Sequence, residues 1–243
     1  MTTLGIIGGI GPESTIEYYR RINALYRERI CDGSAPSIII NSIDMKKLLD
    51  FVAANELDEL TGYLTGEVEK LARGGATFGL LAANTPHLVF DAVARQSPIP
   101  LISIVEVTCA EAKAAGLQRL GLLGTRFTMQ SSFFSDLLSG QEIATIVPNE
   151  EEQLYIHGKY VNELVKGIIL PETREQLMAI IKQLKERARI DGVILGGTEL
   201  SLILREDTVF GVQVLDTTEI HVKAVVAALL SGTNSDASVV SVE

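Results

Sequence analysis

Four turns of the sequence carry small and hydroxyl-bearing residues at points where an apolar run gives way to a helical segment. These turns are residues 8–13, 84–87, 124–128 and 196–199. Backbone N–H groups at strand-to-helix turns, together with hydroxyl and amide side chains, suit a bound carboxylate or phosphate. The sequence therefore predicts a small-anion site built from these turns.

The Gly-rich turn at 8–13, G-G-I-G-P-E, also resembles part of a dinucleotide-binding fingerprint. A G-x-G-x-x-G motif that starts at Gly9 would require Gly or Ala at the position of Ser14. The next strand ends at Asp44, about ten residues too late for the usual ribose-binding acid. We therefore expect this turn to bind a small anion or to serve as a turn alone, and not to bind a nucleotide.

Short apolar runs alternate with longer helical segments through the first half of the chain. This pattern is typical of parallel βαβ units with helices on both faces of a sheet. The expected strands begin at residues 4, 37, 78 and 101, the last of them covering 101–105. The expected helices cover 12–29, most of 45–74, 88–95 and the residues through Ala115.

The pattern then repeats in the same order, about 115 residues later. The segments at 120–138, 191–200 and 210–220 echo those at 4–22, 78–87 and 98–108. We interpret this as an internal duplication and predict an α/β fold of two pseudo-symmetric parallel-sheet halves, flavodoxin-like or Rossmann-like. The predicted halves are 1–99 with 212–243, and 100–211, with the ligand in the cleft between them, where the carboxyl ends of the strands meet.

Composition excludes several classes of function. The chain has 243 residues, 47% of them hydrophobic, and a formal net charge of -10. Nucleic acid and anionic membranes are therefore poor partners, and no apolar run reaches the ~20 residues that span a bilayer. The two cysteines make no disulfide framework, and no metal-binding motif is present. With no signal-peptide pattern at the N-terminus, we expect a cytoplasmic protein.

The motifs LGIIGGIGPEST (4–15), AANTPH (82–87), GTRFTMQSSFF (124–134) and LGGTEL (195–200) together resemble the aspartate/glutamate racemase family, one of the cofactor-independent amino-acid racemases. The resemblance extends from about residue 3 to 228. It implies two α/β halves, an acidic amino acid or dicarboxylate as ligand, no pyridoxal phosphate or other cofactor, no metal, and a homodimer.

The resemblance also implies two thiols on opposite faces of the substrate Cα, one that removes the α-proton and one that returns a proton. The matching positions here are Ala83 and Gly197, and neither residue can transfer a proton. A general acid–base group contributes roughly 10²–10⁴ in rate, so the two-thiol mechanism is unavailable. We expect Cys31 and Cys109 to be ordinary small hydrophobic residues and not substitutes.

The resemblance further implies a set of substrate-binding residues. They are Gly9, Lys47, Asn84, Thr85, Thr125, Thr128, Lys166, Thr198 and Glu199. His87 and Glu199 are candidates for proton transfer in place of the thiols. A structural hydrogen bond is the competing interpretation of His87, and a cap on the following turn is that of Glu199.

Three functions remain open. In the first, the chain is an amino-acid racemase that transfers protons through other groups. In the second, it performs decarboxylase, lyase or isomerase chemistry on a related α-substituted acid. In the third, it binds an amino acid or dicarboxylate without turnover. Of these, the resemblance favours the first, Cα proton chemistry on aspartate or glutamate, while the residues that flank both replaced positions look like a binding site without its proton shuttle.

Overall fold

A computed structural model describes residues 2–236, with side chains through Ser231. The chain folds into two compact units. The first contains the described residues up to Ala82, Val89–Ser103 and those from His221 onward. The second contains Ala83–Leu88 and Ile104–Ile220.

The first unit is a four-stranded parallel sheet with helices. Its strands are β1 (Thr3–Gly8), β2 (Ser37–Ser42), β3 (Phe78–Leu81) and β4 (Leu101–Ile102), in the order β2-β1-β3-β4. Its helices between strands are α1 (Pro12–Ile30), α2 (Met45–Ala54), α3 (Leu57–Arg73) and α4 (Phe90–Gln96). A 3₁₀ helix, Thr85–Val89, precedes α4 and belongs to the second unit as far as Leu88.

The second unit is a five-stranded sheet. Its strands are β5 (Arg119–Gly124), β6 (Ala144–Ile146), β7 (Gly192–Gly196), β8 (Thr208–Val209) and β9 (Val212–Asp216), in the order β6-β5-β7-β9-β8. Its helices are α5 (Ile104–Ala114), α6 (Arg126–Gln130), α7 (Phe133–Ser139), α8 (Glu150–Asn162), α9 (Pro171–Ala188) and α10 (Leu200–Ile203). A 3₁₀ helix, Leu164–Lys166, follows α8, and α11 (Thr217–Asp236) follows β9. All pairings are parallel except that of the edge strand β8 with β9.

The pairing registers of the two sheets confirm the predicted duplication of the fold. In the first sheet Leu4 pairs with Phe78, and in the second Leu120 pairs with Gly192. Leu4 and Leu120 are the corresponding residues of the sequence repeat, so Phe78 corresponds to Gly192, one residue later than the Asp191 with which the sequence repeat aligned it. Five residues further along, positions 83 and 197 are therefore equivalent in the two halves.

The fourth predicted strand, 101–105, is shorter than expected. It ends at Ile102, and α5 begins at Ile104. The backbone N–H of Ile104 donates a hydrogen bond to His87 Nε2 at 3.2 Å. Because this N–H lies in the first turn of a helix, where it lacks a helical acceptor, the imidazole supplies the partner that the helix start requires.

The two units divide at other residues than the boundaries expected from the sequence, which were 99/100 and 211/212. Leu101–Ile102 pairs with β3 and so lies in the first sheet. Val212–Asp216 pairs with β7 and so lies in the second. The last helix passes into the first unit only at His221.

Each unit has its own apolar core. In the first, side chains of β1 and β3 pack with α1 and α11, around the buried ring of Tyr18. In the second, one cluster lies among β7, α8 and α9, and another among β5, α5 and α7. Among the described residues, no helix is both long and apolar enough to cross a bilayer.

A fully buried histidine joins three elements of the first unit. His221 Nε2 lies 3.0 Å from the carbonyl oxygen of Ile102, and its Nδ1 lies 2.9 Å from the hydroxyl of Tyr18. Since a carbonyl can only accept, Nε2 carries the proton and Nδ1 accepts from Tyr18. The ring is therefore neutral, and burial lowers the pKa of His221 to about 4.

We predict that His221 makes the protein acid-sensitive. Because its pKa falls from 6.5 in the unfolded chain to about 4 in the folded one, the unfolded state binds the proton first. The free energy of unfolding should fall by about 3 kcal/mol as pH decreases from 6.5 to 4. His221→Gln should flatten this dependence, measured by denaturant unfolding at pH 4–8. His157→Gln, at a less buried ring, is the control and should remove less of the slope; equal slopes for His221→Gln and wild type would contradict the assignment.

Candidate functional site

Asn84 stands at the carboxyl end of β3 and leaves one polar atom without a partner. Its side chain is only 3% exposed. Nδ2 donates a long hydrogen bond of 3.4 Å to Thr217 Oγ1, whose own hydroxyl donates to the carbonyl of Leu195. Oδ1 is buried and accepts no hydrogen bond from the described residues. A buried amide oxygen in this state costs about 1–3 kcal/mol, and so it is suited to receive a donor from a ligand.

His87 lies in the turn that follows β3 and has a structural role there. Its Nδ1 lies 2.9 Å from the carbonyl oxygen of Ala83, and its Nε2 accepts the N–H of Ile104. Nδ1 is therefore the protonated nitrogen, and the buried imidazole holds the 3₁₀ helix against the start of α5. This arrangement favours the structural interpretation of His87 over that of a general base.

The turn after β5 presents two threonines. Thr125 Oγ1 caps α6 by accepting the N–H of Thr128 at 3.2 Å, and the two hydroxyls lie 3.1 Å apart. Thr128 is buried, whereas Thr125 is partly exposed. A pocket of about 150 Å³ joins this turn to the turn after β3. It is lined by Thr85, Leu88, Phe127, Gln130, Ser131 and Phe133.

The turn after β7 holds a buried carboxylate that accepts two hydroxyl groups. Thr198 Oγ1 donates to Glu199 Oε2 at 2.9 Å, and Tyr160 Oη donates a short hydrogen bond to the same oxygen. Glu199 is 2% exposed and Tyr160 is 7% exposed. Burial, and then the negative charge of Glu199, hold the pKa of the Tyr160 phenol well above its usual range. Tyr160 therefore keeps its proton at neutral pH.

Tyr160 was not predicted as a site residue from the sequence. Its helix, α8, begins with a capping box in which Asn149 and Glu152 exchange hydrogen bonds. Ile156, Tyr160 and Leu164 then follow at intervals of four residues and are all buried. Helical periodicity could have placed Tyr160 on the buried face, but its partner Glu199 is 39 residues away and carries no local signal.

Gly197 lies against the ring of Tyr160. A Cβ at residue 197 would lie 2.4 Å from Tyr160 Cε2 and 2.9 Å from its Oη. Such distances are shorter than van der Waals contact, so any side chain at this position would displace the ring. The tyrosine thus fills the space that a residue other than glycine would use.

Gly9 and Lys47 belong to the first unit, and Lys166 belongs to the second. In the first unit, Gly9 has φ +83° and a Cβ there would lie 2.4 Å from the carbonyl oxygen of Ile43. Its N–H donates to Thr15 Oγ1, so the structure gives Gly9 a turn role. The exposed amine of Lys47 lies 4.3 Å from the ring centroid of Tyr63. Lys166, in the second unit, is exposed and makes no ion pair with the described residues.

The comparisons with known proteins agree on one family. The family model for Asp/Glu/hydantoin racemase matches residues 7–225. The chain belongs to the Asp/Glu/hydantoin racemase family. It is 25% identical to the broad specificity amino-acid racemase RacX of Bacillus subtilis (strain 168), over 83% of this chain and 87% of that protein.

Solved structures of the same family share the fold of this racemase-family chain. A protein from Yersinia pestis that is assigned to the Asp/Glu racemases is 32% identical, with a TM-score of 0.85, over 95% of this chain and all of that one. An aspartate racemase homologue from Pyrococcus horikoshii OT3 is 34% identical, with a TM-score of 0.82 and the same coverage. The predicted two-part α/β fold is thereby confirmed.

Neither cysteine of this racemase-family chain stands at position 83 or 197. Cys109 is buried in α5, and burial with the charge of Glu106 raises its pKa to about 11, so it is a protonated thiol at neutral pH. Cys31 is exposed and ends α1 in a left-handed conformation. Among the described residues, no group of three or more His, Cys, Asp or Glu side chains could hold a metal ion.

We predict that Gly197→Ala destabilises the protein. Because the added methyl group would displace the Tyr160 ring in a packed core, the free energy of unfolding should fall by about 1–3 kcal/mol, measured by denaturant titration. Gly158→Ala, in the same helix as Tyr160 but with open space around it, is the matched control. It should raise stability by about 0.5–1 kcal/mol, since alanine is the better helix former. Equal stability for Gly197→Ala and wild type would contradict the contact.

Proposed function

We propose that this chain binds an acidic α-amino acid, aspartate or glutamate, and acts on its Cα proton without pyridoxal phosphate and without the two-thiol mechanism. The observation that carries the proposal is the buried Asn84 Oδ1, which accepts no hydrogen bond from the described residues. An α-ammonium group supplies such a donor. Family membership and the identity to a broad-specificity amino-acid racemase support an amino acid as the ligand.

Other polar groups of the second unit suit the rest of such a ligand. Thr85 shares a pocket with the turn that carries Thr125 and Thr128, and hydroxyl groups can donate to a carboxylate. Lys166 has an exposed ammonium group that is available for a second carboxylate. Thr198 and Glu199 we assign to the same binding set. Gly9 and Lys47 remain proposals that rest on the family resemblance.

The replaced positions limit the chemistry. Ala83 and Gly197 occupy equivalent places after β3 and β7, and neither has a side chain that can carry a proton. Exchange of the α-proton therefore has to use another group. The same observation favours a second candidate function, binding of an amino acid or dicarboxylate without turnover. A homodimer and a cytoplasmic location remain proposals that rest on the family.

The decisive experiment is exchange of the α-proton in D₂O. The purified protein would be incubated with L- or D-aspartate or glutamate, and the α-proton signal followed by proton NMR. Loss of the signal supports Cα chemistry. Ligand-dependent thermal stabilisation without exchange supports the binding function, and release of carbon dioxide or ammonia indicates decarboxylase or lyase chemistry. Absence of both exchange and stabilisation would overturn the proposal.

We predict that Asn84→Leu separates ligand binding from stability. The replacement removes a buried oxygen without a partner, so the ligand-free protein should be at least as stable as wild type. Stabilisation by amino acid, about 2.7 kcal/mol at a concentration of 100 Kd, should be lost because the acceptor for the ammonium is gone. Differential scanning fluorimetry with and without ligand measures both effects. Asn162→Leu, at an exposed asparagine, is the control, and an unchanged ligand response in Asn84→Leu would contradict the role of Asn84.

A further inference from the structure

The space at residue 197 is occupied by a group that can carry a proton. The hydroxyl oxygen of Tyr160 lies 2.9 Å from the point where a Cβ of residue 197 would stand. A side-chain atom bonded to that Cβ would fill the same small volume. Tyr160 therefore presents its phenol where a residue-197 side chain would present its own functional group.

The phenol is joined to a proton acceptor. Its O–H donates to Glu199 Oε2, and Thr198 Oγ1 donates to the same oxygen. The three side chains form a buried chain of hydrogen bonds, and Tyr160 and Glu199 are each more than nine-tenths buried. A hydroxyl that is hydrogen-bonded to a carboxylate can accept a proton at oxygen while its own proton moves to the carboxylate.

The equivalent position in the other half of the fold is Ala83, whose own side chain cannot carry a proton. Ala83 carries a methyl group, and the nearby imidazole of His87 is hydrogen-bonded to the main chain through both nitrogens. Among the described residues, the two positions that correspond by strand register therefore differ: a phenol and a carboxylate adjoin one, and a methyl group occupies the other.

We propose that Tyr160, coupled to Glu199, is the catalytic acid–base group of this chain and that proton transfer takes place on one face of the substrate Cα. This inference rests on the proposed function. In the forward step the Cα–H bond breaks and its proton forms a bond to Tyr160 Oη. The proton of the phenol moves to Glu199 Oε2, and the electron pair left on Cα delocalises into the substrate carboxylate. The reverse step returns a proton to the same face.

One-faced proton transfer has a stereochemical consequence. Racemisation needs a proton to arrive on the face opposite to the one it left. With a single group, the α-proton exchanges with solvent and the configuration is retained. A two-group racemase in D₂O would instead incorporate deuterium and invert the configuration together.

The test measures exchange, configuration and binding on the full-length protein. Single enantiomers of aspartate and glutamate are incubated in D₂O with wild type, Tyr160→Phe, Glu199→Gln and Tyr155→Phe. Deuterium at Cα is followed by NMR, configuration by chiral chromatography, and binding by thermal stabilisation. Tyr155→Phe makes the same chemical change on the same helix and is the matched control.

We expect wild type and Tyr155→Phe to incorporate deuterium with retention. Tyr160→Phe keeps the ring that packs against Gly197 but should lose about 10²–10⁴-fold in the exchange rate while still binding the amino acid. Glu199→Gln removes the proton acceptor and should show a similar loss. Since Tyr160→Phe preserves the shape of the core, a folding defect and a chemical defect can be told apart by its thermal unfolding.

Four results would overturn the inference, and they differ from failure of the proposed function. Exchange by Tyr160→Phe at the wild-type rate would show that the phenol only fills space. Exchange by Glu199→Gln at the wild-type rate would show that Glu199 does not accept the phenol proton during the reaction. Inversion as fast as deuterium incorporation would require a second group. If wild type binds the amino acid but does not exchange its α-proton, the chain is a binding protein and Tyr160 has no catalytic role. If wild type neither binds nor exchanges, the proposed function fails, and the inference fails with it.

Discussion

The arrangement of the candidate site depends on the hydrogen-bonding requirement of parallel strands. A buried strand can satisfy its backbone groups only in register with its neighbours, and parallel neighbours end at the same edge of the sheet. In the second unit this constraint brings the ends of β5, β7 and β9 to one edge. The turns that carry Thr125, Glu199 and Thr217 follow those ends directly, so their side chains are positioned by the sheet and not by their own loops.

Buried polar groups in the two units divide into those with a structural partner and those without one. His87 and His221 both bind main-chain groups and stay neutral because burial makes a charged ring unfavourable. Each connects segments that are distant in the sequence. Asn84 Oδ1 has no donor among the described residues. A native protein seldom keeps such an atom without a use for it, and this contrast is the reason for assigning Asn84 to the ligand and the histidines to the fold.

The contact of Tyr160 with Gly197 illustrates how packing and chemistry become linked. A large ring can lie over a strand end only where the opposing residue has no side chain. The glycine that removes one functional group from the turn thereby makes room for another, which is carried by a different helix. The loss of a side chain at one position therefore does not by itself mean that the volume around it is chemically empty.

Much of the fold was determined by the sequence alone. The alternation of apolar runs and helical segments predicted α/β halves, and the start of α1 at Pro12 follows from residues adjacent in the chain. The sequence repeat aligned position 83 with position 196, one residue short, and it was the resemblance to the racemase family that named positions 83 and 197, in agreement with the strand registers. The predicted end of the fourth strand was wrong, because the helix start at Ile104 depends on His87, seventeen residues earlier.

The partners of the side chains were decided only by the tertiary structure. The pairing of β9 with β7 moves Val212–Asp216 into the second sheet, although its apolar pattern fits either sheet equally well. The proposed site residues Asn84, Thr125, Thr198 and Glu199 could be named from their motifs. The motifs could not predict that Tyr160 contacts Gly197 and Glu199. Nor could they predict that Asn84 Oδ1 accepts no hydrogen bond from the described residues. The physical reason is that residue type and local periodicity determine which faces are buried, whereas the atoms that meet within the core depend on how separate elements pack together.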